Sequence, residues 1–287
     1  MNDEAAEILE KGTQHLITFF DSQPYTVSST ESRAYKNPKN SMLNRYYDVP
    51  CIDRTRVKLK PNKFITSNYI HANYVDLGQH SRALILTQGP LPLTISHFWN
   101  MIWCEDCYII VMTTRCIEKN REKCSKYWPD KDEEINFGDI EVKCIHSTEN
   151  EKTIDSTFQL KRNNKTKFVY HMLYKNWPDL GSPDVANFLE FISQLYITIQ
   201  SKLGQGTCLI HCSAGIGRSG TVAVILNVIE NIQTQKKFEI IEKFKLVRSQ
   251  RAAAVQSANQ YIFINKISLM YAKKMQLIDE SHRIESL

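Results

Sequence analysis

The densest chemistry in the sequence lies in one short stretch. An apolar run, Thr207-Cys-Leu-Ile-His211, leads into Cys212-Ser-Ala-Gly-Ile-Gly-Arg-Ser-Gly220 and then into a helical pattern. A loop running from a strand into a helix presents backbone N–H groups and the positive end of the helix dipole, both suited to an anion. Gly215 and Gly217 let the backbone curl and approach that anion closely. Cys212 opens the loop, a setting in which thiol pKa values fall from about 8.5 towards 3.5–7.5. Arg218 follows after five intervening residues, and its planar fork can hold two oxygens of a phosphate-like group. Together these suit a thiolate attacking a bound phosphoryl group. A lone Cys-x5-Arg would pass for a buried Cys beside a glycine turn, but the full string HCSAGIGRSG is specific. Gly215-Ile-Gly217-Arg-Ser-Gly220 also spells the dinucleotide fingerprint between strand and helix. That fingerprint needs further parallel strands behind it, and here the remaining chain reads as helical.

The elements that must position this loop can be read from periodicity. Residues 1–21 suggest an amphipathic helix, and residues 22–48, rich in Ser, Asn, Pro and Lys, read as loop. Strand-like runs cover 69–75, 83–88, 108–113, 140–146, 156–161 and 167–174, with a helix over 94–103. The last third has helices over 184–201, 219–233, 238–248 and 258–275, with a buried strand at 207–211. Strands first and helices afterwards predict one α+β domain: a twisted, mixed, largely antiparallel central sheet flanked by helices. The expected layout is a single domain over 1–287, with an N-terminal helix and loop in 1–40 and a motif-bearing core over about 40–272.

With 287 residues, 42% hydrophobic and 23% charged, the chain has the composition of an ordinary globular protein. No apolar run approaches the roughly 18 residues of a membrane span, and the acidic start MNDEAAEILEKG does not fit a signal peptide. A soluble, cytoplasmic protein is expected. The eight cysteines do not suggest a disulfide framework in a chain of this size. Cys104-x-x-Cys107 lacks the second pair that zinc would need. Lysines and arginines are dispersed, so nucleic acid is not an expected partner. The net charge of +5 only mildly favours anions.

The loop string resembles the signature of the cysteine-dependent protein tyrosine phosphatases, in particular the tyrosine-specific, non-receptor-like catalytic domain. Further motifs carry the likeness across residues 40–272: Asn44-Arg-Tyr46-Tyr-Asp48-Val, Tyr69-Ile-His-Ala-Asn73, Thr87-Gln-Gly-Pro90, Phe98-Trp99, Lys123-Cys-Ser-Lys-Tyr-Trp-Pro129 and Trp177-Pro-Asp-Leu-Gly-Ser-Pro183. The resemblance implies that Cys212, beside His211, forms a cysteinyl-phosphate. Arg218 and the backbone amides of Ser213, Ala214, Gly215, Ile216 and Gly217 would hold the phosphoryl oxygens. It makes Asp179 the general acid and then base, on a loop closing about Trp177, with Gly181 and Pro183 flanking it. Gln256 would position the hydrolytic water, with Gln260 assisting, and Ser219 would donate to the Cys212 sulfur. Glu118 would orient Arg218 and Lys123 would meet Asp179; a solvated surface charge is an equal reading for both. Tyr46 would stack on the substrate ring and set the pocket depth, and Asp48 would accept a peptide N–H. No cofactor or metal is implied.

Departures from the family pattern are Leu43, Tyr47, Asn68, His71, Leu180 and Ser257. None removes a catalytic group, though Tyr47 leaves any preference for acidic flanking residues open. The expected activity is hydrolysis of tyrosine-phosphorylated proteins by a monomer. The rival from another class is a phosphotyrosine-binding module that turns over poorly, and a dual-specificity phosphatase is disfavoured by chain length and by Tyr46. Compact catalytic domains of this kind resemble stand-alone cytosolic members, including virus-encoded ones that act in the host cytoplasm.

Overall fold

The computed structural model describes residues 3–24, 29–178, 181–278, 284 and 287. Its strands are β1 (Arg56–Lys58), β2 (Tyr69–Leu77), β3 (His80–Thr87), β4 (Cys107–Met112), β5 (Ile117–Glu118), β6 (Arg121–Glu122), β7 (Glu134–Phe137), β8 (Ile140–Glu149), β9 (Thr153–Arg162), β10 (Lys165–Tyr174) and β11 (Thr207–His211). The helices are α1 (Asp3–Ser22), α2 (Arg33–Lys36), α3 (Ile95–Cys104), α4 (Val185–Gln200), α5 (Gly217–Gln235), α6 (Ile240–Gln250) and α7 (Ala258–Lys274). Among the described residues, nine strands form one sheet in the order β1-β2-β3-β11-β4-β10-β9-β8-β7, while β5 and β6 form a separate hairpin.

The sheet is mixed, as the sequence pattern predicts. β11 runs parallel to β3 and β4, and β4 parallel to β10; the outer pairs are antiparallel. Every residue of β11 is buried, as a parallel strand covered on both faces requires. Its side chains alternate with the pleat. Cys208 and Ile210 join a large apolar cluster with α4, α5, α6 and α7. Leu209 faces the second cluster, built on Phe98 and Trp99 of α3. Neighbouring strands follow suit, with Ile109 and Val111 on the first side and Ile110 and Met112 on the second. Helix α5 has no polar stripe because it is buried from Gly217 to Ile232 on nearly every face. The loop before α5 is therefore held between the sheet centre and the most enclosed helix of the fold.

Three expectations need correction. Residues 22–48 are not plain loop: α2 and a tight turn over Pro38–Leu43 lie within them. The polar side chains there pair with backbone, as when Asn37 Oδ1 accepts from Lys39 N at 3.0 Å and Asn40 Nδ2 donates to Ala34 O at 2.8 Å. Helix α1 is broken at Gly12, whose φ of +66° is left-handed. Strands β1, β5, β6 and β7 carry no usable alternation, being two to four residues long and mostly at edges.

Among the described residues three histidines are buried in this frame: His71, His171 and His211, at 1%, 2% and 0% exposure. Tyr127 Oη lies 2.8 Å from Nε2 of both His171 and His211. His211 Nδ1 lies 3.2 Å from Cys212 O, a contact only an N–H can make. His211 Nε2 must then accept from the Tyr127 hydroxyl, which in turn accepts from His171 Nε2–H. Burial above all pushes His171 down to about 3 and His211 to about 4, and burial with the facing Arg251 pushes His71 to about 3.

All three are neutral when folded yet bind a proton near pH 6.5 when unfolded, so stability falls as the pH drops from about 6.5 towards 4. At pH 5.5 each costs on the order of 1 kcal/mol relative to pH 7.5, and several kcal/mol together. Glu4, whose carboxyl is pushed up mainly by burial, opposes this further into acid. Urea unfolding at the two pH values should show that drop, and equal unfolding free energies would contradict the neutral buried histidines.

Candidate active site

At the C-terminal end of β11 the chain turns through residues 212–216 and enters α5. The carbonyls of this turn are held from outside. Cys212 O accepts from His211 Nδ1, Ser213 O from Gly89 N at 2.8 Å, Ala214 O from Arg251 Nη2 at 3.0 Å and Gly215 O from Arg251 Nε at 3.0 Å. With its carbonyls turned away, the loop can present its N–H groups to the cleft, and Gly215 N donates to Cys212 Sγ at 3.2 Å. Gly215 has φ +70°, and a Cβ there would lie 2.1 Å from Thr87 O. Only glycine permits that approach of backbone to backbone. The first turn of α5 has no side-chain cap, so the positive end of the helix completes an anion cradle around Cys212.

Arg218, on the first turn of α5, is fixed as a flat fork. Its Nη1 and Nη2 donate to Glu118 Oε1 and Oε2 at 2.7 and 2.9 Å, and Nη1 also donates to Thr113 O at 2.9 Å. Glu118 is further held by Thr114 Oγ1 and Arg115 N, each at 3.1 Å. The solvated reading of Glu118 is thereby set aside: it is a partner of Arg218, about 10% exposed. Lys123 is among the residues lining the cleft, and its carbonyl accepts from Ser213 Oγ at 2.8 Å. Because Ser213 spends its proton there, Tyr46 must donate in its 2.7 Å contact with Ser213 Oγ.

These residues enclose a cleft of about 300 Å³ lined by Tyr46, Asp48, Cys212, Arg218, Gln256 and Gln260 among others. Tyr46 leans on a small apolar cluster of Val49, Ile216 and Ala253, which fixes the tyrosine wall relative to the loop. A methyl group on Gly217 would meet Gln256 Oε1 and Gln260 Nε2, each at 3.0 Å, so both amides sit over the helix start. Gln260 Oε1 accepts from Gln256 N at 2.8 Å. Ser257 caps α7, accepting from Gln260 N at 3.3 Å.

Asp179 and Leu180 lie outside the described residues. Their flanks are placed: Trp177 is buried edge-on against Phe188 and Phe263 at 5.3 and 6.0 Å, and Pro178 O accepts from Arg218 Nη2 at 3.2 Å. Gly181 adopts φ +96°. Pro178 is thus tied to the same arginine that faces the cradle. Ser219 Oγ is buried with no hydrogen-bond partner, while the Cys212 sulfur receives the Gly215 N–H.

A thiol in an anion cradle, a forked arginine and a tyrosine-walled cleft agree with what comparison finds: residues 40–270 match the family model of the protein-tyrosine phosphatases. The chain belongs to that family. It is 38% identical over 244 residues to the putative receptor-type tyrosine-protein phosphatase mosPTP-1 of Culex quinquefasciatus, covering 80% of this chain and 16% of the relative. It is 36% identical over 269 residues to the human tyrosine-protein phosphatase non-receptor type 9, covering 86% and 44%. It is 35% identical over 236 residues to the human non-receptor type 2 enzyme, covering 80% and 56%. The chain therefore spans between about a sixth and just over half of the length of these relatives.

Sequence reasoning missed two arginines of this phosphatase site. Arg45 was quoted within a motif without a role; it donates to Gly89 O at 3.0 Å and Pro90 O at 2.7 Å, pinning the Tyr46 segment to the end of β3. Arg251 has no local signal, since everything it holds is distant in sequence. The tight loop yields a direct test. Gly215→Ala should weaken orthovanadate binding at least tenfold, because a Cβ at that φ strikes Thr87 O. Wild-type affinity in calorimetric titration would contradict the cradle.

Proposed function

We propose that this protein hydrolyses phosphotyrosine in proteins through a cysteinyl-phosphate. The observation that carries the reading is the convergence of Cys212 Sγ, the uncapped start of α5 and the Glu118-locked fork of Arg218 at the floor of a cleft walled by Tyr46. Cys212 attacks phosphorus as the bond to the tyrosyl oxygen breaks, and Asp179 gives that oxygen its proton. Water positioned by Gln256 and Gln260 then attacks the phosphorus and loses its proton to Asp179. The sulfur leaves and inorganic phosphate is released. Arg218 and the loop amides stabilise the equatorial oxygens through both steps. The orphaned Ser219 hydroxyl supports its assigned part: a buried O–H without a partner costs about 1–3 kcal/mol, and donating to the departing sulfur would satisfy it. Asp48 is exposed at the cleft rim, where it can accept a peptide N–H.

The substrates are tyrosine-phosphorylated proteins and the working form is a cytoplasmic monomer. No helix among the described residues is long and apolar enough to cross a membrane. The relatives named are from insect and human sources, and the reading rests on no viral origin.

Release of phosphate from a phosphotyrosine peptide decides between enzyme and binding module. Wild type should exceed Cys212→Ser by more than about 10³-fold; equal rates would leave only binding. Asp179→Ala should cut kcat by about 10²–10⁴ while retaining peptide affinity, and an unchanged kcat would remove Asp179 from the reaction.

A further inference from the structure

His71 departs from the asparagine usual in the family's Tyr-Ile-Asn-Ala motif, and no step of the reaction uses it. It sits on β2, buried, and its two ring nitrogens reach the Val49 segment on one side and the guanidinium behind the Cys212 loop on the other. Nε2 lies 2.8 Å from Val49 O, beside the segment that carries Tyr46 and Asp48. Nδ1 lies 3.0 Å from Arg251 Nη2. A guanidinium can only donate, so Nδ1 accepts, and the ring proton sits on Nε2 and is donated to Val49. The same Nη2 donates to Ala214 O at 3.0 Å and the adjacent Nε to Gly215 O at 3.0 Å. Nη1 donates to Asn73 Oδ1 at 2.7 Å, which anchors the guanidinium to β2.

The result is a buried chain from Val49 through the imidazole and guanidinium planes to the two loop carbonyls next to Cys212. Both planes are rigid, so the chain acts as a spacer. Tyr46 rests on Val49 and Ile216, so the spacing of Val49 from residues 214–215 fixes how far the tyrosine wall stands from the nucleophile. The ring stays neutral over the working range, since burial and Arg251 hold it near 3, and its donor and acceptor ends do not exchange.

We propose that His71 is a positioning residue that fixes the separation of the Tyr46 wall from the Cys212 loop, and thereby sets the preference for phosphotyrosine over the shorter phosphoserine. The proposal rests on the phosphatase reading. His71→Leu keeps the bulk and removes both hydrogen bonds. It should raise KM for a phosphotyrosine peptide about tenfold with kcat within about threefold, and narrow the kcat/KM ratio of phosphotyrosine to phosphoserine peptides by a similar factor. His71→Asn, which restores a donor and an acceptor, should return KM to within about threefold of wild type. In a Tyr46→Ala background, His71→Leu should add less than about twofold, because the wall it positions is gone.

Should the leucine leave one Arg251 N–H without an acceptor and the chain unfold, His71→Ala makes room for water to accept from it while still removing the spacer, and it carries the same expectations. An unchanged KM, equal losses on both peptides, or effects of His71 and Tyr46 that multiply would overturn the proposal. A wild-type protein inert towards phosphotyrosine would overturn the phosphatase reading itself, so the two failures are distinguishable.

Discussion

The constraint on which the site depends is the outward anchoring of the carbonyls of residues 212–215. A peptide turn that is to receive a multiply charged anion must hide its oxygens and expose its N–H groups. Here each oxygen has a donor behind it: His211 Nδ1, Gly89 N and two nitrogens of Arg251. Remove those donors and the carbonyls would be free to face the cleft, where they would repel a phosphoryl group. The close packing of Gly215 on Thr87 and the absence of a side-chain cap on α5 both serve the same geometry.

Placing the donors takes most of the fold. Gly89 follows β3, His211 ends β11 and Arg251 follows α6, so the loop is gripped by the two central strands and by the helical layer at once. Arg251 carries the heaviest electrostatic cost. It is fully buried, and its hydrogen bonds go to carbonyls, Asn73 and His71 rather than to a carboxylate. Burial lowers its pKa from the ordinary arginine range, as desolvation of a cation must. A charge retained under that cost lies where it also attracts a thiolate at Cys212. Arg218, by contrast, has its charge matched by Glu118, which leaves it a rigid fork rather than a free cation.

What could be read in the sequence divides along contact range. The nucleophile loop was legible because strand, glycines, Cys212, Arg218 and helix are contiguous, and local geometry then follows from residue types. The mixed sheet was legible because its long strands alternate or run apolar. Short edge strands carried no period to detect, and the Ser- and Asn-rich stretch before Tyr46 hid turns built from side-chain-to-backbone pairs. Glu118 was ambiguous until folding joined it to an arginine 100 positions away. Arg251 was silent for the same reason, and His71 showed only as a departure without a role: a buried side chain that pairs with distant groups leaves no spacing in the sequence. Ser219 shows the converse, a role suggested by motif that the resting geometry leaves unpaired.

The central claim is that the anchored loop makes Cys212 a phosphoryl acceptor. Rapid quenching of the protein with an excess of radiolabelled phosphotyrosine peptide, followed by mapping of the labelled fragment, addresses it directly. Phosphate should appear on the fragment containing Cys212, with formation and decay rates that account for steady-state turnover. Turnover without phosphate on Cys212, or with phosphate on another residue, would contradict it.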